Sequence, residues 1–437
     1  MEKEDIIERI DKPTSWVSPT VITPKKNPNE IRLNVDMRVA NNAIPRVNSI
    51  TPTIDELIHK LNGAVVFSHL DMNHGYHQIE LDEHSRDVTT FSTHTGFFRY
   101  KRLNYGTKSA GDIFQNKVRE GLTQHIPGCV NISDDILVYG RSQQEHDQYL
   151  QSLFETAWEK EVTFNKSKCE FNKDKCLYYG LVFSKEGVSP DPCKVQAIQA
   201  TTPPRNTKEL NSFLCTVQYN AKFMKRYAPA TEKLRSLFKE QTFTWEKEHQ
   251  KAFDDMKKGL CDDTTLAYFD PKAEHEVHVD SCPLGVSATL VQRKENEEYW
   301  RVVQYANRSV TDTESRYSQI ELEMLAIDLA CNRFHLYLYG IPFTIISDHK
   351  PLEVIINNPR HQTSVRLQRI LVRVMDYDFK VQYRPGKTNI SDYTSRHPIP
   401  HGECTKQEMS TAKEIKHYIP ITLSRTTSLM QSVRKNL

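Results

Sequence analysis

Three short stretches rich in proline, asparagine and threonine, Ser189–Pro192, Thr201–Thr207 and Pro271–Lys272, constrain the fold more than any other feature. Proline removes a backbone donor and fixes φ, so neither a helix nor a central strand runs through such a stretch undisturbed. The chain of 437 residues is too long for one ordinary core, and the breaks divide it into parts of different texture. With 38% hydrophobic and 26% charged residues there is apolar material for globular cores, which excludes wholesale disorder. Residues 1–188 mix short apolar runs, strand-like at Gly63–Leu70 and Cys129–Tyr139, with helical spacing at Ser109–Gln124 and Glu145–Glu161. Residues 189–270 are helical, one helix opening at Asn206–Phe213 behind an Asn-Thr-Lys-Glu start and another covering Trp245–Leu260. Residues 271–398 run strand, hairpin, strand, helix, strand, helix, strand, helix, a mixed α/β layer. Residues 399–437 are polar, end basic and show no pattern. The expectation is an α+β and α/β multidomain protein.

Net charge is +2, so only local patches can speak for or against a nucleic-acid partner. The nine cysteines are scattered without Cys-x-x-Cys or Cys/His metal spacing and read as buried or free thiols in a reducing compartment. No basic-then-apolar leader occurs at Met1–Asp11 and no apolar run is long enough for a bilayer. These features predict an intracellular, cytoplasmic protein with no membrane partner.

Phosphoryl transfer through a pair of hard divalent ions about 3.5–4 Å apart needs carboxylates on a rigid frame, which directs attention to aspartates at strand ends. Val65–Leu70 delivers Asp71, and Asn131-Ile132-Ser133-Asp134-Asp135-Ile136-Leu137-Val138-Tyr139 sets two adjacent aspartates between apolar runs, as at a hairpin tip. Either alone reads first as a turn, because aspartate favours turns. A second acidic set lies further on. His275–Asp280 alternates so that Asp280 leaves on the face opposite Val277 and Val279. Phe343–Asp348 ends another strand with Asp348, and Pro385–Asp392 brings in Asp392. Between them, Ile320–Ile327 is a helix on which periodicity leaves both Glu321 and Glu323 open as the fourth acid.

In combination, Asp71 with Gly75-Tyr76-His77-Gln78, Tyr105-Gly106, Ala110, Phe114-Gln115, Asp134-Asp135-Ile136-Leu137, Lys168-Cys169-Glu170-Phe171 and Tyr178-Tyr179-Gly180 resembles the reverse transcriptase of gypsy-type long-terminal-repeat retrotransposons. Ser18-Pro19-Thr20-Val21, Lys25-Lys26, Arg32 and Val35-Asp36-Met37-Arg38 resemble its fingers. Asp348-His349-Lys350-Pro351-Leu352 and Asp392 with Ser395-Arg396 resemble the ribonuclease H domain that follows. The resemblance implies a right-hand polymerase of fingers and palm (1–188) with a helical thumb and connection (189–270), then a ribonuclease H-like mixed α/β sheet domain (271–398). It implies that Asp71, Asp134 and Asp135 are the polymerase carboxylates. Asp280, Glu323, Asp348 and Asp392 would be those of the nuclease, Glu323 because it directly precedes Met324-Leu325-Ala326-Ile327. Each set would hold two Mg2+ ions, or Mn2+. Lys25 and Arg32 would neutralise the incoming triphosphate, Tyr76 would crowd a ribose 2′-hydroxyl, Gln115 would contact template or nucleotide, and Lys168 is a candidate proton donor to pyrophosphate.

The partners so implied are an RNA template, a DNA primer, an RNA–DNA hybrid and deoxynucleoside triphosphates. Lys222, Lys225 and Arg226, interleaved with aromatics, and Arg366, Arg369 and Arg373, recurring at helical spacing, are expected to track hybrid phosphates by charge and shape. A solvated basic face is the plainer reading of both. The chain is expected to be a piece of a polyprotein, in a virus-like particle when the element is intact. The alternative function is a remnant that binds nucleic acid without copying it.

Overall fold

Short runs rich in β-branched and aromatic residues, bounded by turn residues, become strands in the first part of the chain. The computed structural model describes residues 1–24, 31–49, 51–224, 227–239, 242–261, 265–295, 297–357 and 363–384. It divides into two compact units, Met1–Tyr178 and Tyr179–Leu437. The first unit opens with β1 (Ile7–Ile10), β2 (Thr20–Pro24), β3 (Ile31–Val35), α1 (Ile54–Lys60), β4 (Val66–Asp71), β5 (Phe91–Thr93) and β6 (Gly96–Tyr100). It continues with α2 (Ala110–Val118), β7 (Cys129–Ile132), β8 (Asp135–Gly140), α3 (Gln143–Glu159), β9 (Glu170–Lys173) and β10 (Lys175–Tyr178). β2 and β3 pair as a hairpin, β6 lies between β1 and β5, and an antiparallel sheet runs in the order β7, β8, β4, β9.

Two helices hold that last sheet in place. Ala110, Phe114 and Val118, at four-residue spacing, put one face of α2 into a core with Leu70, Ile136 and Val138. The α-helix is shorter than the periodic run, because Arg119–Thr123 widens into a π-helical turn. α3 starts on Ser142, whose side chain accepts from the Glu145 N–H at 3.2 Å. Its first turn then packs so close to the end of β8 that a Cβ on Gly140 would lie 2.5 Å from the His146 nitrogen. His146 is fully buried and shares a 2.8 Å hydrogen bond with Ser68 of β4, tying helix to strand.

The second unit begins with a hairpin, β11 (Leu181–Ser184) and β12 (Gly187–Pro190). Helices α4 (Pro192–Gln199), α5 (Thr207–Tyr219), α6 (Tyr227–Arg235) and α7 (Lys247–Cys261) follow around a core that includes Leu210, Phe213, Val217, Phe253 and Met256. Among the described residues six cysteines are free, but Cys193 is disulfide-bonded, contrary to the reading of all nine as thiols. The remaining elements are β13 (Glu274–Cys282), β14 (Gly285–Arg293), β15 (Arg301–Ser309), α8 (Gln319–Arg333), β16 (Phe343–Ser347), α9 (Lys350–Asn357), α10 (Val365–Val374) and β17 (Phe379–Tyr383). They build a five-stranded sheet ordered β15, β14, β13, β16, β17, antiparallel on the β14 side and parallel from β13 through β17. Two helices rather than one, α9 and α10, separate the parallel strands β16 and β17. α8 lies across the sheet, burying Leu322, Met324, Leu325, Ala326 and Ile327 with Val277, Val279 and Ile345. No helix among the described residues is long and apolar enough to cross a membrane.

Candidate active sites

β4 ends on Asp71 and β8 begins on Asp135, and the antiparallel register sets these two residues opposite each other. Ile132 pairs with Asp135, so Ser133 and Asp134 form the two-residue turn between β7 and β8. Ser133 has φ of 56°, the left-handed value that hairpin turns require and that L-residues adopt at a cost. The Met72 N–H donates to the Asp134 carbonyl at 3.0 Å, so the turn is fastened directly beside Asp71. The structure thus gathers Asp71, Asp134 and Asp135 at one end of one sheet, from positions more than 60 residues apart.

Each carboxylate has its own environment. The Asp71 oxygens accept from Lys168 Nζ at 3.1 and 2.9 Å. Asp135 Oδ1 lies 3.0 Å from His69 Nε2, and its carbonyl accepts from the Tyr178 hydroxyl at 2.9 Å. Burial raises the Asp134 carboxyl above the usual carboxylate range, and the charges of Asp135 and Asp71 push it the same way. Among the described residues no three His, Cys, Asp or Glu side chains converge as they stand into a set that could hold a metal. The donor chemistry nevertheless fits a divalent cation. Three mutually repelling carboxylates meet at one end of the sheet, and both Asp71 oxygens already accept from one ammonium group.

Near these acids, Tyr76 stacks on Phe114 at 4.6 Å and meets Tyr105 in a tilted contact at 4.6 Å, which fixes its ring. Gln115 is placed differently from its sequence expectation. It is 3% exposed, its Nε2 donates to the Asn131 carbonyl at 3.1 Å and its Oε1 accepts from the Ser133 N–H at 2.6 Å. A side chain engaged at both ends inside the protein does not reach a template. Lys25 lies outside the described residues, and of Arg32 only the backbone, in β3, is described.

In the second unit, β13 and β16 run parallel with His278 beside Ile346, and two residues further along each strand direction stand Asp280 and Asp348. α8 presents Glu323 between them, 1% exposed, accepting from Ser281 Oγ at 2.7 Å and from Ser347 Oγ at 3.2 Å. Burial, then the nearby Asp348 and Asp280 charges, carry the Glu323 carboxyl up to about 7 despite the serine hydrogen bonds. Glu321, the other possibility left by periodicity, is engaged elsewhere. Its Oε2 accepts from the Ser318 N–H at 3.1 Å as a helix cap, and Arg366 Nη1 donates to both oxygens at 3.1 Å. A buried carboxyl facing two aspartates is again a donor set suited to a hard cation. Asp392 lies outside the described residues.

Sequence reading missed four participants: His69 and Tyr178, which hold Asp135, and Ser281 and Ser347, which hold Glu323. Only the serines carry a sequence signal, each being next to one of the aspartates in a strand-end pair. His349, directly after Asp348, was also passed over; its Nδ1 is buried without a hydrogen-bond partner. The expected basic face of α10 is largely tied up. Arg366 binds Glu321 and lies 4.0 Å above the Tyr317 ring, and Arg373 donates to Asp328 at 2.9 and 3.0 Å, while Arg369 is exposed. Lys222 lies over the Phe223 ring at 5.5 Å, and Lys225 and Arg226 fall outside the described residues.

Comparison with known proteins agrees with this layout. A family model described as "Reverse transcriptase (RNA-dependent DNA polymerase)" matches residues 23–183. Another, "RNase H-like domain found in reverse transcriptase", matches residues 245–345. The retrovirus-related Pol polyprotein from transposon 297 of Drosophila melanogaster is 32% identical over 408 residues, covering 91% of this chain and 38% of that protein. The chain spans between 31% and 40% of the length of the Drosophila transposon relatives it matches. A foamy viral protease–reverse transcriptase in complex with double-stranded DNA superimposes with a TM-score of 0.76 at 18% identity, covering 92% of this chain and 68% of that one. The foamy viral enzyme in complex with an RNA/DNA hybrid gives 0.69 at 19% identity, over 92% and 54%. The right-hand polymerase fold followed by a ribonuclease H-like sheet domain is therefore the fold of this chain, which carries a reverse transcriptase domain and a ribonuclease H-like domain similar to those of long-terminal-repeat retrotransposon Pol polyproteins.

Proposed function

We propose that the chain is an RNA- and DNA-directed DNA polymerase that also cleaves the RNA of RNA–DNA hybrids, each reaction served by its own acidic cluster. The observation that carries this reading is the meeting of Asp71 with the Asp134–Asp135 turn at one end of the sheet, with Glu323 buried between Asp280 and Asp348 as its counterpart. Asp71, Asp134 and Asp135 would hold two magnesium or manganese ions, and Asp280, Glu323, Asp348 and Asp392 another two. Bound there, such ions neutralise charge developing on the phosphoryl oxygens and lower the pKa of the attacking oxygen.

The residues of this chain supply the rest. Lys168, which donates to both Asp71 oxygens, would be a proton donor to the leaving pyrophosphate, and Tyr76, packed against the Phe114 and Tyr105 rings, would crowd a ribose 2′-hydroxyl. Lys25 and Arg32 would meet the triphosphate of a deoxynucleotide. The complexes of the foamy viral enzyme with double-stranded DNA and with hybrid support a primer–template duplex as the partner here.

The test is primer extension on an RNA template with magnesium or manganese, beside cleavage of a labelled hybrid, with Asp135→Asn as control. Extension by the parent and its loss in the variant are expected. Cleavage without extension would reduce the function to a nuclease. Hybrid binding with neither activity would leave a nucleic-acid-binding remnant.

A further inference from the structure

We infer that Gln115 is the positioning residue of the polymerase turn, holding Ser133 in its left-handed conformation so that Asp134 faces Asp71. The inference rests on the polymerase reading above and adds a residue that acts on the site without touching substrate.

Gln115 leaves α2 from inside the core and spans the entry to the turn, donating to the carbonyl of Asn131 on β7 and accepting from the N–H of Ser133. A primary amide of this length offers a donor and an acceptor side by side without charge. Glutamate in its place would set an acceptor against the Asn131 carbonyl and add a fourth negative charge beside three carboxylates. Methionine would fill the volume and make neither bond. Ser133 has no glycine-like freedom, and a left-handed L-residue persists where its surroundings over-determine it. The clamp meets that condition. The neighbouring Asn131 side chain accepts from Thr123 Oγ1 at 2.8 Å, and both residues are buried.

The base of the clamp is equally fixed. Phe114, next to Gln115 on α2, is fully buried, and a Cβ on Gly75 would lie 2.7 Å from its ring. The chain of contact thus runs from the packed core, through Gln115, into the backbone N–H of Ser133, the residue that precedes Asp134.

If Gln115 serves to hold this backbone, an intrinsically relaxed residue at 133 replaces it. The experiment compares the full chain with Gln115→Met, Ser133→Gly and the double variant. Extension kinetics are measured on an RNA template, and Mn2+ binding is followed by paramagnetic resonance in a Glu323→Gln background that removes one acid of the second site. Gln115→Met is expected to lower kcat about tenfold or more with KM for the deoxynucleotide little changed, and to weaken Mn2+ binding. Adding Ser133→Gly is expected to restore most of both. Unfolding temperature, read on all samples, and hybrid cleavage, read only on the samples that keep Glu323, report folding separately. Parental kcat in Gln115→Met, or a double variant as impaired as the single, overturns the inference. A folded parent that binds Mn2+ but does not extend overturns the polymerase reading alone, and the rescue is then read from Mn2+ binding. A parent that does neither overturns both.

Discussion

Glu323 shows how a single side chain records its surroundings. Its carboxyl would lose its proton near 4.5 in the unfolded chain, but burial, with Asp348 and Asp280 nearby, holds the proton to about 7 in the folded one. Between those values the folded state binds more protons, so the stability contribution is complete below pH 4.5 and is lost as pH rises through 7. The span corresponds to roughly 3 kcal/mol, at 1.36 kcal/mol per pKa unit. Thermal unfolding in a chelator is expected to show stability falling across this window, and Glu323→Gln to flatten the fall; equal slopes in parent and variant would refute it. Asp134, raised for the same reason, bends the profile of the first unit in the same direction. Lys168 makes the complementary case. Its ammonium occupies Asp71 oxygens that a metal ion would use, so Lys168→Ala is expected to lower the Mn2+ concentration for half-saturation by about two- to fivefold, the range of a partly exposed ion pair. An unchanged or higher midpoint would show that the lysine does not compete.

At the scale of elements, local chemistry was the most legible part. The Asn-Thr-Lys-Glu start identified α5, and Asn206 Oδ1 does accept from the Glu209 N–H at 2.9 Å, so Asn206→Ala is expected to destabilise the second unit by about 1 kcal/mol in denaturant titration. The break in helical geometry at Arg119–Thr123 had no such signal, because the side chains continue a helical pattern through it. α10 illustrates the limit of periodicity. Its arginines share a face as the spacing indicates, yet two of them are fastened to acids of α8, which the spacing of α10 cannot report. Arg369→Ala is therefore expected to weaken hybrid binding and to reduce the salt slope by about 1, whereas Arg373→Ala should leave that slope unchanged. The reverse result, measured by fluorescence anisotropy across salt concentrations, would mean that Arg373 leaves Asp328 for the hybrid.

For the whole molecule, the two acidic clusters belong to different compact units, each with its own core. Their activities should separate. Asp71→Asn is expected to abolish extension while sparing hybrid cleavage, and Glu323→Gln to do the opposite; loss of both activities from either change would show that the sites depend on one another. The sequence by itself pointed to the acids at strand ends and to the main helices and strands, because turn chemistry, capping and hydrophobic alternation act between near neighbours; it did not indicate that β12 runs through Ser189 and Pro190 or that the compact units divide after Tyr178. Tertiary structure decided the rest: that Glu321, which periodicity alone left open beside Glu323, is tied to Ser318 and Arg366, that Gln115 turns inward onto Ser133, and that His69 holds Asp135. These are contacts between residues brought together by packing from distant parts of the chain, and no periodic pattern encodes which side chain will be opposite which until the sheet has set its register and the helices have settled on it.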